Sequence, residues 1–219
     1  LIDEAEDDQD RCRHLNVTLP TLLAEFCADS GARLLSFSSD QIFDGFGTSP
    51  YRETDRTSPL SFYGRSKLES ENAILACYHP ALIIRSGPTF GPWDENNFLT
   101  RALRSAGRGR RFFAANDLIA SPTYLPDLVD TALDLLIDDA SGIWHLANPG
   151  AIDWASFGRM GAELLGIDSQ YIIGRSHEAF DLSAARPRYS ALSSIKASLL
   201  PDLERSVDTY IRECRVALR

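Results

Sequence analysis

No stretch of this 219-residue chain approaches the ~20 consecutive apolar residues of a membrane span, and no signal peptide opens it. Cysteine is sparse and scattered. Cys12, Cys27, Cys77 and Cys214 form no C-x-x-C pair, and His14, His79, His145 and His177 are as dispersed. The close ligand pairs of a zinc site are lacking, so no metal is expected. Reduced, mostly buried thiols in a cytoplasmic protein are the reading that remains. Basic residues are too few for a nucleic-acid partner: 22 Lys and Arg stand against 31 Asp and Glu, a net charge of −9. A strand followed by G-x-G-x-x-G is missing as well. Gly45-Phe46-Gly47 and Gly107-Arg108-Gly109 follow the wrong elements to cradle a pyrophosphate.

What is present reads as a folded α/β chain. Hydrophobic residues make up 44% and charged residues 24%, enough for one core, or one core with a smaller lobe beside it. An acidic run, Asp3, Glu4, Glu6, Asp7, Asp8 and Asp10, favours the start of a helix. Apolar spacing at Leu15, Leu19, Leu22, Leu23 and Phe26 predicts a helix over about 8–29, kinked at Pro20 and stopped by Gly31. Buried strands are expected at 34–37 and 81–84, with a helix over about 62–77 between them. Near-continuous apolar strands alternating with helices argue for a parallel sheet covered on both faces. Further helices are expected at 97–106, 126–137, 154–165 and 203–217, and strands at 112–114, 143–146 and 171–173.

The chemistry concentrates between Ser38 and Lys67. Tyr63 and Lys67 form Y-x-x-x-K at a helix start, one turn apart on one face. A neighbouring ammonium is expected to pull the phenol's pKa down toward the working range. Ser39 directly follows an apolar strand, at the sheet edge where ligands of open α/β folds bind. Its hydroxyl can hydrogen-bond a carbonyl that Tyr63 protonates. The Tyr–Lys pair alone is a common surface feature; its combination with Ser39 and a following strand ending in Arg85-Ser86-Gly87-Pro88 is specific.

At these residues the chain resembles the dTDP-4-dehydrorhamnose reductase family of extended short-chain dehydrogenases. The likeness rests on Ser38-Ser39-Asp40-Gln41-Ile42-Phe43-Asp44-Gly45, Pro50-Tyr51-Arg52-Glu53-Thr54-Asp55, and Tyr63-Gly64-Arg65-Ser66-Lys67-Leu68. It continues through Asn97-Phe98, Ala120-Ser121-Pro122-Thr123-Tyr124, 142–148 and Arg186-Pro187 with Ser190, and Asp3, Ala5, Glu6 and Asn16 also fit.

The resemblance implies a Rossmann-like sheet with a smaller mixed substrate lobe, and reduction of a 4-keto nucleotide sugar by NADPH or NADH. Residues 1–92 would form the catalytic half of the Rossmann-like domain. Residues 93–219 would mainly form the substrate lobe, with about 125–147 returning to the first domain. Ser39, Tyr63 and Lys67 would be catalytic. Ser38, Tyr63, Lys67, Arg85, Ser86 and Gly87 would hold the cofactor, and Asp40, Gln41, Asn97, Ser121, Thr123 and Arg186 the substrate. The residues alone leave other roles open: Asn97, Ser121 and Thr123 as loop caps, Arg186 as a surface arginine, Asp40 as a turn cap.

Set against the family, the first two βαβ units, with the phosphate loop, are expected to be missing, so the chain alone should bind the cofactor weakly and expose a sheet edge able to self-associate. Gln41 stands where the family usually has tyrosine, and Pro88 where it usually has tryptophan. An amide at Gln41 cannot remove a proton, which argues against the related dehydratases. A nucleotide-sugar epimerase or another extended dehydrogenase remains an alternative. So does a non-catalytic subunit of the same fold, like the regulatory subunit of methionine adenosyltransferase.

Overall fold

In the computed structural model, which describes residues 2–214, three parallel strands form the central sheet. They are β1 (Leu35–Ser39), β2 (Leu82–Ser86) and β7 (Gly142–His145), in the order β1-β2-β7. β2 is buried along its whole length, as a middle strand covered on both faces must be. Among the described residues β1 has one neighbour and forms an edge.

The chain enters through α1 (Glu4–Asp7) and α2 (Gln9–Arg13), passes a π-helical turn (His14–Thr18) and continues as α3 (Leu19–Ser30). The kink expected at Pro20 is therefore a widened turn just before it. Leu19 N–H reaches back five residues to the His14 carbonyl, and Pro20 falls in the first turn of α3, where its missing N–H costs nothing. Gly31 then closes the helix at φ 72°. The apolar spacing does not mark the sheet-facing side: Val17, Ala24 and Cys27 are buried, whereas Leu15, Leu19, Leu22, Leu23 and Phe26 are exposed.

α4 (Phe62–Cys77) lies beside α3, and Ala24, Ile74, Ala81 and Ile83 make the core on that face of the sheet. Ser61 caps α4 by accepting the Gly64 N–H at 3.1 Å. On the opposite face α6 (Leu125–Ile137) packs Leu128 and Ala132 against Leu82 and Ile84.

The other elements gather around a second apolar cluster of Phe90, Leu99, Leu103, Tyr124, Phe157, Val207 and Tyr210. It is built from α5 (Phe98–Gly107), α7 (Trp154–Leu165) and α8 (Leu203–Cys214). Short strand pairs frame it: β3 (Thr89–Phe90) with β6 (Thr123–Tyr124) and β4 (Phe112–Ala115) with β9 (Ile172–Arg175), both parallel, and β5 (Ile119–Ala120) with β8 (Ile152–Asp153), antiparallel. The last expected helix is observed as far as Cys214; its remainder lies outside the described residues. No helix among the described residues is long and apolar enough to cross a membrane.

Candidate active site

A cleft of about 1060 Å³ opens at the carboxyl ends of β1 and β2. Its volume suits a ligand larger than a simple metabolite. Ser38 and Ser39 end β1 on its rim, and Ser86 and Gly87 continue from β2. The chain then turns sharply: Asp40–Ile42 form a 3₁₀ turn capped by Ser39, whose Oγ accepts the Gln41 N–H at 3.2 Å.

The first turn of α4 is pressed against that turn. A Cβ on Gly64 would lie 2.2 Å from the Gln41 carbonyl oxygen, so only glycine permits the approach. This contact brings Tyr63 to the cleft wall that Ser39 also lines, and sets Lys67 on the same side of the helix. Gly87 does the same for the β2 side, since a Cβ there would lie 2.0 Å from the Ser121 carbonyl oxygen.

Lys67 does not lower the Tyr63 pKa as its spacing predicts. Its Nζ donates to the Phe37 carbonyl at 3.0 Å and lies 5.8 Å from the centre of the Tyr63 ring. Burial, followed by the carboxylate of Asp40, pushes the phenol up to about 12 against the lowering influence of the Ser39 hydroxyl. The expected lowering is thus corrected: the phenol is held protonated. Burial also moves the Lys67 ammonium below its ordinary value, against the pull of Cys12 and Glu71. Behind the pair, Asn16 in the π turn donates to Ser66 Oγ at 3.0 Å, joining α4 to the first helical rod.

Asp40 is fully enclosed. Its Oδ1 accepts from Ser39 Oγ at 3.1 Å and Gln41 Nε2 at 3.3 Å, and its Oδ2 from Ser190 Oγ at 2.6 Å. Burial raises its pKa in spite of these donors. Arg186 also lines the cleft, with Nη2 2.6 Å from Asp3 Oδ2. Burial pushes Asp3 up, but the Ala184 N–H and Arg186 outweigh it and hold the carboxyl below its ordinary range.

Four of the expected residues have their side chains engaged elsewhere and do not line the cleft. Arg85 is buried beneath it, donating to both oxygens of Glu71. Asn97 caps α5, accepting the Thr100 N–H at 3.0 Å and donating to the Gly91 carbonyl. Ser121 Oγ donates to the Gly150 carbonyl at 2.6 Å, and Thr123 Oγ1 to the Ser121 carbonyl at 3.0 Å. Polar side chains that brace a loop and polar side chains that meet a ligand look alike in a sequence.

The cleft also contains residues that no sequence motif marks. Arg101 and Arg111 line it together with Phe98, Phe112, Phe113 and Trp154, and Phe98 and Trp154 pack with ring centres 4.7 Å apart. The signal was available: Arg101, Arg104, Arg108, Arg110 and Arg111 crowd one short segment of an acidic chain. Lys67, Arg101, Arg111 and Arg186 face two carboxylates, Asp3 and Asp40, so the cleft carries an excess of positive charge inside a chain of net −9.

The RmlD substrate binding domain family matches residues 1–215, nearly the whole chain. The protein belongs to this family. It is 36% identical over 198 residues to the dTDP-4-dehydrorhamnose reductase of Mycobacterium tuberculosis, covering 88% of this chain and 65% of that protein. It is 31% identical to the spore coat polysaccharide biosynthesis protein SpsK of Bacillus subtilis, covering 88% of this chain and 67% of that one. The chain thus spans about two thirds of the length of these curated relatives.

Among solved structures, a dTDP-4-dehydrorhamnose reductase from Clostridium acetobutylicum superposes with a TM-score of 0.91 at 27% identity, over 98% of this chain and 78% of that one. The Bacillus anthracis reductase, solved in complex with NADP, gives 0.91 at 26%, over 97% and 76%. The Rossmann-like α/β fold of the RmlD family is therefore the fold of this chain. Gln41 and Pro88 both lie on the cleft wall.

Proposed function

We propose that this chain forms the catalytic part of an NAD(P)H-dependent reductase of a 4-keto nucleotide sugar, working in the cytoplasm. The observation that carries the reading is the meeting of Ser39, Tyr63 and Lys67 in one cleft that Arg101, Arg111 and aromatic rings also line. An arginine pair suits a diphosphate, and the rings suit a base. Residues 1–92 with 125–147 would form the cofactor-side domain and the rest the substrate lobe.

The residues present fit the nicotinamide end of a dinucleotide. Ser38 Oγ and Gln41 Oε1 are buried on the cleft wall with no hydrogen-bond partner in the protein, as groups reserved for a ligand would be. When bound, the reduced nicotinamide supplies hydride to the keto carbon. Ser39 would turn its single hydroxyl proton from Asp40 Oδ1 to the carbonyl oxygen and orient it. Tyr63, kept protonated by burial, would pass its proton to that oxygen as negative charge develops there. Lys67 would neutralise the phenolate left behind and hold a ribose hydroxyl. The positive cleft would retain the nucleotide diphosphate.

The test is incubation of the complete protein with a dTDP-linked 4-keto-6-deoxy sugar and NADPH, following loss of the reduced-nicotinamide absorbance. Stoichiometric oxidation that Tyr63→Phe abolishes supports the reading. Conversion of the sugar without net oxidation would assign an epimerase. No turnover, with a stable stoichiometric complex to another enzyme, would assign a non-catalytic subunit.

A further inference from the structure

Six acids crowd the first ten residues, and two of them are turned inward. Glu4, Asp7, Asp8 and Asp10 are exposed, as a solvated acidic run is expected to be. Asp3 and Glu6 are half-buried on either side of the buried Ala5, one helical turn apart. Each carboxylate reaches a different segment of the fold.

Asp3 stands just before α1, where aspartate ordinarily caps a helix, yet its side chain takes no N–H of that helix. It crosses to residues 183–186 instead. Oδ1 accepts the Ala184 N–H at 3.0 Å and the Ser183 hydroxyl at 3.3 Å, and Oδ2 accepts from Arg186 Nη2 at 2.6 Å. Arg186 Nη1 donates to the Ala184 carbonyl at 2.9 Å, so the guanidinium is fixed through two of its nitrogens on the cleft wall.

Glu6 turns toward α4. Its Oε1 accepts the Phe62 N–H at 2.7 Å, the first amide of that helix. Ser61 takes the Gly64 N–H, so the two acceptors bracket Tyr63 within the first turn, where amides lack partners inside the helix.

Given the reductase reading above, we propose that Asp3 and Glu6 are positioning residues of the reaction, with α1 as a bracket between the segment that carries Arg186 and the turn that carries Tyr63. On that reading Arg186 meets the diphosphate and Tyr63 the keto oxygen, so one helical turn fixes the spacing between the groups that hold them. A carboxylate on this wall repels a diphosphate. What it contributes is order, because an arginine already immobilised loses less freedom when an anion binds.

Calorimetric titration with dTDP, and NADPH-dependent turnover of the dTDP-linked 4-keto-6-deoxy sugar, both on the complete protein, separate position from charge. Asp3→Ala and Asp3→Asn remove the same charge, but asparagine keeps an oxygen for the Ala184 N–H. Asp3→Ala should weaken dTDP about fivefold and Asp3→Asn should not, whereas loss of charge alone would tighten both. Glu6→Gln keeps the oxygen and loses the charge; Glu6→Asp keeps the charge one methylene short. We expect kcat to fall about tenfold in Glu6→Asp and Glu6→Ala with KM unchanged, and to stay near wild type in Glu6→Gln. Amide exchange at Phe62 and Tyr63 should quicken in the same two variants. Wild-type dTDP affinity in Asp3→Ala, or kcat and exchange that follow the charge at Glu6 rather than its reach, would overturn the proposal with the reductase reading intact. A wild-type protein that binds dTDP but oxidises no NADPH would sink that reading instead, and dTDP affinity and amide exchange would still decide the roles of Asp3 and Glu6. One that does neither would overturn both.

Discussion

The guanidinium of Arg85 closes on both carboxylate oxygens of Glu71, at 2.9 and 2.6 Å, in a pair from which water is excluded. Glu71 sits one helical turn beyond Lys67, so the pair pins the face of α4 that carries Tyr63 and Lys67 to the middle strand of the sheet. Arg85→Met leaves a carboxylate buried without its partner. Urea unfolding should show a loss of about 3–5 kcal/mol, while the double replacement of both residues by apolar ones should recover much of it.

Gly64 is the hinge of the site. Gly64→Ala forces a Cβ into the Gln41 carbonyl, a backbone atom that cannot yield. We expect a loss of stability of about 1–3 kcal/mol, and a larger proportional loss of kcat, because the shift separates Tyr63 from Ser39. Paired urea melts and kcat measurements check this.

The pH dependence of turnover should report Lys67. Burial lowers its pKa below the ordinary 10.5, so the ammonium is intact at neutral pH and loses its proton as pH rises through that lowered value. Tyr63, at about 12, still holds its proton there. The alkaline limb of kcat should therefore lie below 10.5. It should move upward in Lys67→Arg, whose guanidinium stays charged. An alkaline limb unmoved by this change would assign it to another group.

Arg101→Ala and Arg111→Ala should act on binding. On the proposed reading each would remove a charge-assisted contact to a diphosphate, worth about 1.5–3 kcal/mol. KM for the nucleotide sugar should rise about tenfold or more with kcat little changed. The wild-type KM should climb with ionic strength more steeply than that of either variant.

Where an element carries its own punctuation, the sequence was enough. α4 begins where expected because Ser61 caps it, and α7 lies between the Asp153 cap and Gly166. The meeting of Ser39, Tyr63 and Lys67 was legible because a strand end and one helical turn confine three side chains to one sheet edge. The electrostatics were not. Proximity in sequence gave Lys67 charge of Tyr63's pKa, whereas burial and Asp40 govern it.

Side-chain direction was the other hidden quantity. Asn97, Ser121 and Thr123 fall at the right positions along the chain but turn into the scaffold, where buried backbone groups need partners. The first helix was legible as a helix and misleading as a core: its leucines repeat at helical spacing on the solvent side, while smaller residues, Val17, Ala24 and Cys27, make the sheet contact.

The hydroxyl that Ser190 gives to Asp40 crosses 150 positions of chain. A ribosome makes Ser39, Tyr63 and Lys67 long before it makes Ser190. Until the last stretch emerges, the carboxyl beside the reactive hydroxyl lacks one of its donors. The pocket is thus finished from the far end of the polypeptide, and a product cut short before Ser190 would carry all three reactive groups around an unbraced turn.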